Sequence, residues 1–171
     1  MASAQAAYTD KRYEVAKELA DKADKIFKET IAKKPEFTIP QGVTQVSRSG
    51  SQLRLSPPVK FSKGTTLTLT PQVEVSLDEL SKTLIESKAA LKRVILTGYT
   101  DNRGLAATNK KLSADRASVL REALIQRGVP ADLLVSEGRG GESPIADNAT
   151  TQGREDNRRI EINIELVEGA K

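Results

Sequence analysis

The sequence predicts an α/β (α+β) sandwich, a mixed four-stranded β-sheet with helices packed on one face, preceded by an N-terminal helix. Three observations carry that expectation. "RVILTGY", Arg93 to Tyr99, is a short continuous apolar run of the kind interior strands show. "IEINIEL", Ile160 to Leu166, alternates apolar with polar residues, so one face is buried and the other wet. The segments before and between these runs carry leucines at helical spacing.

The elements follow in order. From Tyr13 to Lys34 the apolar positions Ala16, Leu19, Ala20, Ala23, Ile26, Phe27 and Ile31 recur every three or four residues, which predicts an amphipathic helix. Pro35 and Pro40 end it, and the stretch from Pro35 to Gly42 reads as a linker. The expected organisation is therefore a helix and linker over residues 1–42 and a sheet domain over 43–171. "VTQVSRSGSQLRLSPPVKF" predicts a hairpin around Ser49-Gly50-Ser51. Thr70-Pro71 is a helix start, threonine as cap and proline at the first helical position, with Val73, Leu77, Leu80, Leu84 and Leu91 as the buried stripe of a helix ending near Lys92. A second helix is expected from a Ser113 cap to a Gly128 stop, then a strand at Leu133 to Glu137, then a loop from Gly138 to Gln152.

Composition narrows the function classes. With 37% hydrophobic but only 4% aromatic residues, the chain suits a globular fold whose core rests on Leu, Ile, Val and Ala. The net charge of +4 comes from 27 basic and 23 acidic residues mixed together, so no nucleic-acid stripe is expected. The absence of cysteine excludes disulfides, thiol catalysis and thiolate metal sites. Histidine is absent too, so a general acid or base near neutral pH would have to be a strongly shifted carboxylate or lysine. No enzyme, cofactor or metal is expected. No apolar run approaches the ~20 residues of a membrane helix, and Met1-Ala2-Ser3 does not open a signal peptide. Membrane association is expected only through an anchor not present in this chain.

The chemistry concentrates in "GYTDNRGLAATNKKLSADRA", Gly98 to Ala117. On a helix over Leu112 to Leu124, Arg116 falls on the apolar side one turn from Leu112 and one from Leu120, near the helix N-terminus. A half-buried guanidinium there needs an acceptor. Asp101 lies just past the "RVILTGY" strand, where α/β sheets bind ligands. Two readings stand: a salt bridge tying strand to helix, or a pocket. Gly98 and Gly104 leave backbone amides accessible, and a helix starting at Ser113 would add free N–H groups for a carboxylate. A pocket with an anion-binding and a cation-binding half suits a zwitterion, its carboxylate forked by Arg116 and its ammonium held by Asp101.

"TGYTDNRG", "NKKLSADRA" and "GRGGESPIADNATTQGREDNRRIEI" resemble the OmpA-like peptidoglycan-binding domain, in the family's order over about Val59 to Glu165. The resemblance implies the OmpA C-terminal-like fold and non-covalent attachment to the cell wall. The family's T-D aspartate falls on Asp101 and its L-S-x-x-R arginine on Arg116; in the family these grip the free amino-acid end of diaminopimelate in the peptidoglycan stem peptide. Asn109 and Leu112 match the N-x-x-L positions lining the site, and Asn157, Arg158 and Arg159 match the N-R-R motif. Thr100 and Asn102 are expected in the contact shell, with Arg158 behind them in a supporting role. Tyr99 stands where the family commonly has histidine. The "FSKGTTLTLTP" loop resembles the family's pattern with one residue more, making Gly64 and Thr65 candidate pocket members.

Three other motifs point elsewhere and are set aside. "GRGG" at Gly138 runs into Pro144 and not into a helix, unlike a phosphate loop. "DNRG" lacks the spaced oxygen ligands of a calcium loop. Asn148-Ala149-Thr150 is a sequon by pattern alone. The expected function is anchoring of an envelope protein or complex to the wall in the periplasm of a Gram-negative, outer-membrane-associated setting, with envelope partners at the N-terminal helix. The alternative is a protein-docking module of a stator or secretion assembly. A wall hydrolase would need a tuned carboxylate pair or a metal.

Overall fold

The computed structural model describes residues 13–23, 25, 37–40, 43–49, 52–61 and 64–168. The chain divides into two compact units, Met1–Lys34 and Pro35–Lys171. In the first, residues 13–23 form helix α1; Ile26, Phe27, Ile31 and the rest of the predicted helix to Lys34 lie outside the described residues, save Lys25, which is helical. The second unit runs β1 (Thr44–Ser49), β2 (Gln52–Ser56), β3 (Lys60–Phe61), β4 (Leu67–Thr68), α2 (Pro71–Glu86), β5 (Leu91–Gly98), α3 (Ala106–Gln126), β6 (Leu134–Gly138), α4 (Thr151–Asn157) and β7 (Ile160–Leu166).

The main sheet has the order β1-β2-β7-β5-β6, antiparallel throughout except for the β5–β6 pair. It is mixed, and with the edge strand β1 it counts five strands where four were expected. The hairpin partner β1 pairs with β2 from Thr44 opposite Ser56 to Ser49 opposite Gln52. Its predicted turn residues Gly50 and Ser51 lie outside the described residues. Leu53 and Leu55 of β2, Ile160, Ile162 and Ile164 of β7, and Val94 and Leu96 of β5 point to one side, where Leu77, Leu80 and Leu84 of α2 and Leu120 and Leu124 of α3 cover them. The other side carries Arg54, Arg93 and Glu165, so α2 and α3 cover the same face of the sheet. Phe37 and Val43 are buried in this core and Ile39 packs against it, so described parts of the predicted linker and its boundary belong to the sheet domain. Ile162 is fully buried in the central strand. Ile162→Ala should cost about 2–5 kcal/mol in chemical denaturation.

The helix punctuation follows backbone chemistry. Thr70 Oγ1 accepts from the Val73 N–H at 3.3 Å and Pro71 opens α2, as expected. The helix stops earlier than predicted, at Glu86; Leu91, predicted for its stripe, is the first residue of β5. At the end of α3, Gly128 takes φ 92°, its N–H donates to Ile125 O at 2.9 Å, and the Val129 N–H reaches Leu124 O at 3.1 Å. That is a Schellman stop, which only a residue tolerant of positive φ completes at low cost.

The other end of α3 departs from expectation. The helix starts at Ala106, after Leu105, and not at Ser113. Ser113 is fully buried in mid-helix, where its hydroxyl donates to Lys110 O and accepts the Gly140 N–H, both at 2.9 Å. Ala106-Ala107 are strong helix formers, so the helix extends nearly two turns toward the Asp101 loop. A Ser113 helix end cannot therefore supply free N–H groups. The predicted Gly138–Gln152 loop ends in the short helix α4, capped by Thr150 Oγ1 on the Gly153 N–H at 2.9 Å. Glu161, predicted wet, is 2% exposed: Arg159 Nε donates to it at 2.8 Å and Arg54 lies 3.5 Å away.

Candidate functional site

Two glycines let the strands carry their loops close to α3. A Cβ at Gly98 would stand 2.1 Å from the Ser113 carbonyl oxygen, and one at Gly138 would stand 2.3 Å from the Ala114 nitrogen. The strand ends of β5 and β6 are thus pressed against the middle of α3, leaving Asp101 in the loop beyond. The Thr100 N–H donates to Gly140 O at 2.8 Å and its hydroxyl donates to Asp101 O at 2.9 Å. Asn109 Nδ2 donates to Arg103 O at 2.8 Å and reaches Asp101 O at 3.4 Å. Thr100 and Asn109 therefore hold the backbone of the loop that presents the Asp101 carboxylate.

That carboxylate is engaged on both oxygens. Oδ1 accepts the Arg103 N–H at 3.0 Å and Oδ2 accepts from Arg158 Nη1 at 2.6 Å. Burial alone would raise the Asp101 pKa, but the Arg103 amide and the Arg158 guanidinium outweigh it and hold the carboxyl below its ordinary value. A depressed carboxylate contributes stability above its unfolded pKa of ~3.9 and loses it as pH falls through the lower folded value. The stability gap between native protein and Asp101→Asn should accordingly narrow on acidification from pH 6 toward pH 2, in thermal melts across that range. A gap independent of pH would contradict the assignment.

Arg116 is held differently from either sequence reading. Its Nε donates to Gly64 O at 2.7 Å, and its guanidinium lies 5.2 Å from the centre of the Phe61 ring. Gly64 has φ 53°, the left-handed conformation that lets the loop turn its carbonyl toward α3. The salt bridge to Asp101 is not formed; Asp101 pairs instead with Arg158, 57 residues along the chain. Among the described residues no carboxylate pairs with Arg116. Burial, then the Arg158 charge, push the Arg116 pKa down, and Asp101 partly offsets them, so the three groups share one field.

Arg116, Arg158 and Arg159 line an open groove of about 370 Å³ together with Phe61, Glu155 and Asp156. Asp101, paired with Arg158, does not itself line the groove, and its side chain is 13% exposed against 37% for the arginine. The groove therefore offers the guanidinium groups of Arg116, Arg158 and Arg159, with the Asp101 carboxylate held by the second of them.

The remaining predicted residues divide. Gly64 is at the site through its carbonyl. Leu112 is half-buried on α3, while Asn102 and Asn109 line a separate hollow at the start of that helix with Gly104 and Lys110. Thr65 lines a different groove, with Leu67 and Val119. Tyr99 does not line the Arg116 groove, but it carries the guanidinium of Arg159, which does, 3.9 Å above its ring. Thr100 is buried, so its role is to shape the loop. Sequence reasoning gave Asn157 no role of its own. It is fully buried, its Oδ1 accepts the N–H groups of Ile145 and Ala146 at 2.8 and 3.0 Å, and its Nδ2 donates to Asn148 Oδ1 at 3.0 Å. Asn148 Oδ1 in turn accepts the Asn102 N–H at 3.3 Å, which ties the α4 region to the Asp101 loop. Phe61 was likewise missed; its position in the loop pattern beside Gly64 was the available signal.

Residues 61–158 match the model of the OmpA family. Over 70 residues the chain is 49% identical to Peptidoglycan-binding protein ArfA of Mycobacterium tuberculosis, covering 41% of this chain and 22% of that protein. Over 98 residues it is 38% identical to Outer membrane protein A of Bordetella avium, covering 57% and 49%. The chain thus spans about a fifth to a half of these relatives' length. Among solved structures, the cell wall anchor of the T6SS from Pseudomonas aeruginosa superposes with a TM-score of 0.59 at 25% identity, covering 74% of this chain and 90% of that one.

Proposed function

Because this chain belongs to the OmpA family, we propose that it is a non-catalytic cell-envelope module that binds peptidoglycan and anchors an envelope protein or complex to the wall. The observation that carries this reading is the disposition of Arg116: fixed by Gly64 and Phe61, without a carboxylate partner among the described residues, and within the field of Asp101. Such a pair suits a small group bearing ammonium and carboxylate on one carbon. The free end of diaminopimelate in the stem peptide has that chemistry, and it is the ligand we assign. Asp101 would take the ammonium, Arg116 the carboxylate, and Arg158 would complete the pocket. The name of the mycobacterial relative and the description of the secretion-system anchor support wall binding.

We place the protein in the periplasm, associated with the outer membrane, as the name of the Bordetella relative suggests for its family. No helix among the described residues is long and apolar enough to cross a membrane. We assign residues 1–42 to joining the module to an anchor or partner. A second reading, a docking module in which wall contact is secondary, is favoured by the likeness to a secretion-system component. Sedimentation with protein-free sacculi separates the two. A wall-binding module pellets with them and releases no muropeptides, whereas a docking module stays in solution.

A further inference from the structure

The groove does not present Asp101 directly to a ligand. Arg158 occupies Oδ2 at 2.6 Å, and it is Arg158, not Asp101, that lines the groove beside Arg116. An incoming ammonium must therefore displace a guanidinium from the carboxylate it seeks. The displaced group has somewhere to go: Arg158 Nη2 already lies 3.6 Å from Glu155 Oε1, and its 37% exposure leaves it room to swing. Its new position, however, remains close to Arg116, whose pKa its charge already depresses. The guanidinium groups of Arg116, Arg158 and Arg159 and an added ammonium repel one another, and the exposed Glu155 and Asp156 offset this less than an anion brought by the ligand between them.

Resting on the diaminopimelate reading above, we propose that Arg158 is a specificity-determining competitor that occupies Asp101 in the free protein and favours ligands carrying ammonium and carboxylate together. A ligand with both groups exchanges one ion pair for two: its ammonium replaces Arg158 on Asp101, and its carboxylate accepts from Arg116 and the released Arg158. An ammonium without a carboxylate breaks the Asp101–Arg158 pair and leaves the released Arg158 only the exposed Glu155 as a partner, beside Arg116 and Arg159. The discrimination is thus built from a repulsive element as well as an attractive one.

The test uses two stem peptides, one carrying diaminopimelate and one carrying lysine at the same position, the latter lacking only the terminal carboxylate. Both are titrated against the whole chain by calorimetry, as native protein, Arg158→Gln and Arg158→Lys, with circular dichroism melts to confirm folding. In Arg158→Gln the lysine peptide should bind roughly tenfold more tightly than to native protein, while the diaminopimelate peptide binds equally or several-fold more weakly. The preference for diaminopimelate should therefore collapse. Arg158→Lys, which keeps the competing charge, should retain most of the preference. If Arg158→Gln weakens both peptides by the same factor, or changes neither, the competitor role is overturned while the site stands. If native protein binds neither peptide, the site assignment fails and this inference with it.

Discussion

Replacing Arg116 by alanine is expected to abolish co-sedimentation with sacculi, lowering affinity at least about thirtyfold, with the fold unchanged. The guanidinium is held at the groove by the Gly64 carbonyl and the Phe61 ring, whereas its neighbours Arg158 and Arg159 are each paired with a carboxylate, Asp101 and Glu161. Losing a charge-assisted fork onto a carboxylate in a partly dry site costs roughly 2–5 kcal/mol of binding. Stability should change little, because alanine is the best helix former and the core contacts of α3 come from Ala117, Leu120 and Leu124. The Gly64 carbonyl, on an exposed residue, would turn to water. Undiminished pelleting of Arg116→Ala would remove the residue from the site.

Gly98→Ala is expected to be severely destabilising for a single added methyl, costing ~3 kcal/mol or more. Its Cβ would stand 2.1 Å from the Ser113 carbonyl oxygen and 2.9 Å from the carbonyl carbon, both main-chain atoms that no rotamer change can move. Either β5 or α3 must retreat. Since β5 delivers the Thr100–Asp101 loop and α3 carries Arg116, the same shift would separate the two halves of the pocket. Urea denaturation and sacculus binding should therefore fall together. Native-like stability in Gly98→Ala would show that the strand and helix are not pressed together as described.

Much of this was legible in the chain because local rules and tertiary demands agree there. Thr70-Pro71 caps, and Gly128 stops, the helices they were expected to. The leucine stripe of α2 and the isoleucines of β7 are buried as their spacing predicts. The departures occur where a distant segment overrides a local signal. Ser113 has the chemistry of a cap, yet Gly140 claims its hydroxyl from the β6 side, and Leu105 starts the helix with no side-chain cap at all. Glu161 follows a wet-face pattern, but Arg159, aligned by Tyr99 and its own carbonyl contacts, covers it. Helix α4 was hidden by its polar composition and by Gly153, although Thr150 and Thr151 offered a start signal. Glycine is required there by close approach, since a Cβ would come within 2.0 Å of Asp147 O.

The site shows the same division. That Asp101 and Arg116 belong to one cluster followed from their places at a strand end and on a helix face. That Asp101 would pair with Arg158 could not follow from spacing, because their meeting depends on α4 and on Asn157 anchoring the Ile145–Asn148 turn. The pairing leaves Arg116 without an acidic partner among the described residues, the feature a binding site needs and a structural salt bridge would have removed.

The most direct measurement is a calorimetric titration of the protein with a free diaminopimelate-containing stem peptide, repeated after amidating the carboxylate on the free end of its diaminopimelate. Saturable one-to-one binding that is lost on amidation is the expected result, since the fixed guanidinium would then face a neutral amide. Equal heats and equal affinity for both peptides would mean that Asp101 and Arg116 do not hold a doubly charged guest.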